Sequence, residues 1–153
     1  MFAMAQSLSR IYVHIIFSTK NRVPLLAESI RPDLFRYIAG IVKTQKSSPV
    51  RIGGTADHVH ILCDLGRTTT IAKLIEEIKT GSSKWLKAKD ASFRDFQWQS
   101  GYGAFSVSQS SAPDVIAYID NQEEHHRKRT FQEEFRLFLQ RYGIEYEERY
   151  LDE

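Results

Sequence analysis

An α+β fold, an antiparallel sheet with helices packed on one face, is predicted by three observations. Four short runs rich in β-branched residues have the two-residue period of strands, and longer stretches between them carry apolar residues at helical spacing. Their order along the chain is strand, helix, strand, strand, helix, strand, helix. The first six elements match the split βαβ, or ferredoxin-like, arrangement, in which the first and third strands lie side by side at the centre of the sheet. The expected layout is one domain over residues 1–153, with a body at 9–110 followed by a tyrosine-bearing helix and tail at 111–153.

Each element has a local reason. "SRIYVHIIFSTK" (9–20) alternates and is β-branched, and "KNRVP" bounds it. Ile11, Val13, Ile15 and Phe17 share one parity and are expected to pack under the helices. In residues 27–45, Ile30, Leu34, Ile38, Ile41 and Val42 fall on one helical stripe, with Pro32 suited to an early turn. "VRIGGTA" (50–56) and "DHVHILCDL" (57–65) read as paired strands, with Gly53 and Gly54 marking a bend, bulge or tight turn. Residues 67–89 carry Ile71, Leu74, Ile75 and Ile78 on one stripe behind a Thr-rich N-cap, and Gly81 is placed to break or cap the helix. The aromatic, Gly-punctuated stretch 92–111 holds a short strand near 104–108. Pro113 and the serines before it open a helix to about His126, and the segment after it is helical to Tyr142, where Gly143 stops it.

A chain of 153 residues, 42% hydrophobic and 26% charged, is long enough to bury a core without staples. Its apolar runs are too short to cross a bilayer, so no membrane partner is expected. "MFAMAQSLSR" lacks the pattern of a signal peptide, and a lone Cys63 allows no intrachain disulfide, so a cytoplasmic location is expected. Net charge is +2, but residues 67–89 carry +4 while residues 123–153 hold nine acids against six bases. A basic middle beside an acidic tail fits either a polyanion-facing surface or an ordinary solvated helix face.

Chemistry centres on "DHVHIL". His58 and His60 are two apart on a strand, so both imidazoles leave one face while Val59 and Ile61 leave the other. With helices on the Val59 side, the pair is expected to look out from the open face. Such a pair is a two-point metal ligand or simply two polar positions on an exposed sheet. On the later helix Tyr118 and Gln122 stand one turn apart. Tyr at helical spacing suits core packing, but an amide at i+4 does not, because a buried amide without partners costs about 1–3 kcal/mol.

"DHVHIL" on a strand, followed by "YIDNQEEHHRK" on a helix, resembles the single-tyrosine transposases of small bacterial insertion sequences, including relatives that act at repetitive extragenic palindromes. These belong to the nuclease superfamily named for its histidine–hydrophobic–histidine motif. "YVHIIFSTKNRVPLL", "LIEEIKTGSSKWL" and "WQSGYGAFSVS" extend the resemblance in order along the chain. It implies an enzyme that cuts and rejoins single-stranded DNA bearing hairpin ends. By the same resemblance Tyr118 is the nucleophile, forming a 5′-phosphotyrosine, and His58, His60 and Gln122 hold Mg²⁺ or Mn²⁺. The family also implies a homodimer in which the tyrosine helix serves its own or its partner's site.

Around these residues Lys20, Arg22, Lys79, Ser83 and Lys84 are candidate DNA contacts, and Trp85, Trp98 and Tyr102 candidate base-stacking platforms. His14 shares a face with the histidine pair, and Asp57 either orients an imidazole or caps the turn. His125 and His126, adjacent on a helix, diverge and make a weaker ligand pair, while Cys63 reads as a small buried apolar residue. Two other functions remain compatible with the residues. One is a non-catalytic or domesticated nucleic-acid-binding protein on the same fold; the other is a metal-dependent nuclease that uses water.

Overall fold

The computed structural model describes residues 6–148. Its elements are β1 (Tyr12–Ser18), α1 (Arg31–Thr44), β2 (Ser48–Gly54), β3 (His58–Asp64), α2 (Ile71–Lys89), β4 (Gly103–Val107), α3 (Ala112–Asp120), α4 (Gln122–His126) and α5 (Phe131–Arg141). The four strands form one antiparallel sheet in the order β2-β3-β1-β4. That is the split βαβ arrangement, with β1 and β3 at its centre.

The helices α1 and α2 cover one face. Val13, Ile15, Phe17, Val59 and Ile61 point into them and meet Leu34, Ile38, Val42, Leu74, Ile78 and Leu86. Cys63 shares this core and is fully buried. Thr70 caps α2, its hydroxyl accepting from the Lys73 amide at 3.0 Å. Gly81 lies within α2 and does not break it. Ile11 departs from the expected parity: it precedes β1, is half exposed, and contributes its carbonyl to the Leu65 amide instead of a side chain to the core.

The opposite face is not open. The helices α3, α4 and α5 cover it, and His58 and His60 are fully buried. A second core of Ile16, Phe105, Phe131, Phe135 and Leu139 forms between the sheet and α5. The helix expected to run to about His126 breaks at Asn121, whose φ of −105° and ψ of 25° separate α3 from α4. Gly143, at φ +64°, follows the end of α5, a position where glycine is favoured.

Room for this second layer comes from a single row of the sheet. Gly53 pairs with His60, His60 with Ile16, and Ile16 with Gly103, so the row reads Gly, His, Ile, Gly across all four strands. A Cβ on Gly53 would lie 2.8 Å from Ile119 Cγ2 and 3.0 Å from the Ile119 carbonyl oxygen. Gly53 is thus where the backbone of α3 seats on β2, rather than a turn. A Cβ on Gly103 would lie 2.5 Å from Phe135 Cε2. Two helices therefore press onto the flanks of the row, one on each side of His60.

Gly103→Val is expected to destabilise the chain by about 1–3 kcal/mol through overpacking, measured by urea denaturation. Gly40→Ala, in α1 with no atom within 4 Å of the new methyl, is expected to be neutral or stabilising.

Candidate active site

His58 and His60 project from β3 toward α3, α4 and α5. His58 Nδ1 lies 2.8 Å from Asp57 Oδ1 and 2.9 Å from Thr55 Oγ1, and its Nε2 faces Gln122 Oε1 at 3.0 Å and Glu134 Oε1 at 3.7 Å. His60 Nδ1 contacts His14 Nε2 at 2.8 Å, and His60 Nε2 lies 3.0 Å from Glu134 Oε1. The other oxygen of Glu134 accepts the hydroxyl of Tyr118 and, at 3.2 Å, the Nε2–H of His126. Tyr118 is half-buried, its ring stacked on His125 at 4.4 Å between centroids, and it borders two surface cavities of about 540 and 530 Å³.

This donor set fits a divalent cation. The ligand atoms of His58, His60 and Glu134 lie within 4.8 Å of one another, and the group could coordinate a divalent metal ion. A cation seated between His58 Nε2 and the Gln122 oxygen would be accepted by both. Each imidazole also has a partner on its far nitrogen, Asp57 for His58 and His14 for His60, the support that metal-binding histidines normally have.

Electrostatics agrees. Burial lowers the His60 imidazole to about 4, so it is neutral at pH 7, and a cation would replace the proton that Nε2 shares with Glu134. Burial alone would raise the Glu134 carboxyl, but hydrogen bonds from His126 and His60 outweigh it and hold the group well below the usual carboxylate range. Glu134 is therefore the buried anion of the site. Tyr118 moves the other way: burial first, then the neighbouring Glu134 charge, push its phenol above the ordinary value. Without a cation the phenol keeps its proton.

The structure thus brings His58, His60, Tyr118 and Gln122 together within one chain, along with His14 and Asp57. The candidate DNA contacts scatter. Lys79 donates to the carbonyls of Gln99 at 2.8 Å and Gly101 at 2.7 Å, and burial lowers its ammonium to about 8. Ser83 and the exposed Lys84 ride on α2, across the sheet from the histidines. Lys20 reaches Gln97 Oε1 at 3.1 Å, and Arg22 lines a cavity beside Asp57. Trp98 is not a stacking platform: it is buried, donating its Nε1–H to Ser82 Oγ at 3.0 Å. Trp85 stacks on Tyr37 at 5.4 Å, and only Tyr102 among the three is exposed.

Glu134 is the residue that sequence reasoning missed. It lies in the acidic tail, where one carboxylate among nine carries no mark. A usable signal existed in its position: Phe131, Phe135 and Leu139 define the buried stripe of an amphipathic helix, and Glu134 falls beside them. A charge on that face is unexpected unless it has partners.

Comparison with known proteins bears on the same residues. Residues 7–122 match the family described as IS200-like transposases. The chain belongs to this family. The matched region contains His58, His60, Tyr118 and Gln122 and ends before Glu134. Among solved structures, the fold is similar to that of a candidate transposase from Deinococcus radiodurans R1, at 20% identity and a TM-score of 0.61, covering 80% of this chain and 98% of that one. A REP-associated tyrosine transposase bound to a REP hairpin is similar at 14% identity and a TM-score of 0.60, covering 82% of this chain and 74% of that one. No curated protein matches the sequence significantly. Among the described residues of this IS200-like chain, no helix is long and apolar enough to cross a membrane.

Glu134→Ala is expected to weaken Mn²⁺ binding at least about tenfold, since even outer partners of metal ligands are worth 10–100-fold. Calorimetric titration measures it, with Glu133→Gln, the exposed neighbour, as the variant expected to bind normally.

Proposed function

We propose that this IS200-like chain is a divalent-metal-dependent enzyme that cleaves and rejoins single-stranded DNA with hairpin ends. Tyr118 is the nucleophile, and a 5′-phosphotyrosine is the intermediate. One observation carries the reading. The Tyr118 hydroxyl and the donor atoms of His58, His60, Gln122 and Glu134 converge on one small volume, linked through the two oxygens of Glu134.

His58, His60 and Glu134, with Gln122 beside them, would hold Mg²⁺ or Mn²⁺. When bound, the ion supplies a Lewis acid to the phosphate oxygens and lowers the pKa of nearby oxygen acids. The residues of the chain do the rest. Asp57 and His14 fix the two imidazoles, so the ligand atoms need not reorganise. Glu134 Oε2 already accepts the phenolic hydrogen bond and orients the hydroxyl, whose proton passes to water as the oxygen attacks, since the Glu134 carboxyl is too acidic to hold it. The phenolic oxygen then attacks phosphorus, the bond from phosphorus to the 3′ oxygen breaks, and that oxygen takes a proton to become a free 3′-hydroxyl. Reversal with a different 3′-hydroxyl joins new ends without an external energy source, because the covalent link conserves the phosphodiester.

The hairpin preference is proposed from the fold shared with the REP-bound relative. A homodimer is part of this reading: a second copy would bring a second DNA end, with the tyrosine helix serving its own or its partner's site. A cytoplasmic location suits a buried, reduced Cys63 and a DNA substrate.

The test is incubation with hairpin-bearing single strands and Mn²⁺, followed by a denaturing gel. A covalent protein–DNA species is expected, and Tyr118→Phe is expected to lower its formation at least about 10⁴-fold while binding persists. An adduct from the Phe variant would overturn the nucleophile. Free 5′-phosphate product with no adduct would replace this reading with a water-using nuclease, and binding without cleavage would leave a binding protein.

A further inference from the structure

Between α4 and α5 the chain runs Arg127, Lys128, Arg129, three consecutive bases inside a tail that is acidic overall. On one side of this linker a cavity of about 640 Å³ reaches Asp57 and His126, with Arg22, Arg31, Lys128 and Arg129 on its walls. On the other side a cavity of about 530 Å³ reaches Tyr118 and Glu134. Arg129 lines both. Resting on the reaction proposed above, we infer that the linker is a phosphate track. In it Lys128 and Arg129 hold backbone phosphates flanking the scissile one, and Arg129 spans the gap between the flanking strand and the nucleophile.

Three observations support the assignment. Arg31 is already engaged, by Glu123 at 2.8 Å and the Leu26 carbonyl at 2.9 Å, so it shapes the wall more than it binds. Lys128 and Arg129 are exposed, and among the described residues neither has an ion-pair partner. Their charge is therefore available to a polyanion. The two cavities also flank the histidine site: Asp57 and His126 on one side contact His58 and Glu134, and Tyr118 and Glu134 form the other. A strand laid along the linker passes the nucleophile without unfolding α5. Asp57, Glu123 and Glu133 line the first cavity as well, so it is mixed in charge and the linker supplies the excess. Single-stranded DNA is the occupant this fits: a chain of single negative charges, flexible enough to bend around a ridge.

Binding without metal tests this apart from the chemistry. In EDTA, and in the Tyr118→Phe background to prevent capture, a fluorescein-labelled oligothymidylate of about 16 nucleotides is titrated at several salt concentrations. The double variant Lys128→Gln, Arg129→Gln is expected to bind at least about tenfold more weakly, with a log–log salt slope shallower by about 1.4, or about 0.7 per lost phosphate contact. Arg129→Lys is expected to keep most of the affinity. Lys87→Gln, an exposed base on α2 across the sheet, is expected to change nothing. Unchanged affinity and slope in the double variant would overturn the inference, as would an equal loss in Lys87→Gln. Failure of the proposed reaction looks different: no adduct, with binding and its salt slope as expected.

Discussion

A carboxylate in a nearly dry interior is the constraint around which this molecule is arranged. Glu134 is only 3% exposed, and an ionised group so placed is costly unless every neighbour compensates it. Compensation comes from separate parts of the chain: His60 from β3, Tyr118 from α3 and His126 from the end of α4. Remove any of these elements and a buried charge loses a partner. The sheet, the tyrosine helix and the C-terminal helix are thereby tied to one another through a single side chain, and their relative positions are set within hydrogen-bond tolerance.

Reaching that geometry requires an unusual sheet surface. A row of large side chains would hold helices about 10 Å away, the ordinary spacing of packed layers. Glycine at both edges of the row lets α3 and α5 settle closer, so that Tyr118 and Glu134 meet beside His60. The same approach buries the two histidines under Phe131, whose ring lies 4.9 Å from that of His58. Apolar cover of this kind excludes water and strengthens every interaction inside. It also means that access for a substrate is lateral, through the cavities at Tyr118 and at Asp57, rather than down onto the sheet.

Charge distribution follows the same division. The core of the site holds an anion, Glu134, among imidazoles, and a divalent cation would complete its balance. Outside, basic side chains of the linker stand at the mouths of the cavities. A metal for the reacting phosphate and linker bases for its neighbours are complementary devices, because phosphates repeat along a strand while only one of them reacts. Lysines of the basic helix α2 instead face away or bind carbonyls, as Lys79 does with Gln99 and Gly101.

Local pattern determined much of this protein. Alternation in β1 and β3 fixed which face each residue takes, so that His58 and His60 share a side and Val59 and Ile61 go to the helical core. Helical spacing placed Tyr118 and Gln122 one turn apart, and the motif they form with the histidines was enough to suggest the family. These are consequences of strand and helix periodicity, which act over a few residues. What periodicity could not decide was the fate of the second face. Whether it stays open depends on where residues 131–141 dock, and that is set by shape: Gly103 leaves room for Phe135, and Phe131 and Leu139 join it over Ile16 and Phe105. Glu134 gained its place only through that docking. A carboxylate's role depends on which donors surround it, and here His60, 74 residues away on β3, joins Tyr118 and His126 from the two preceding helices only once the chain is folded.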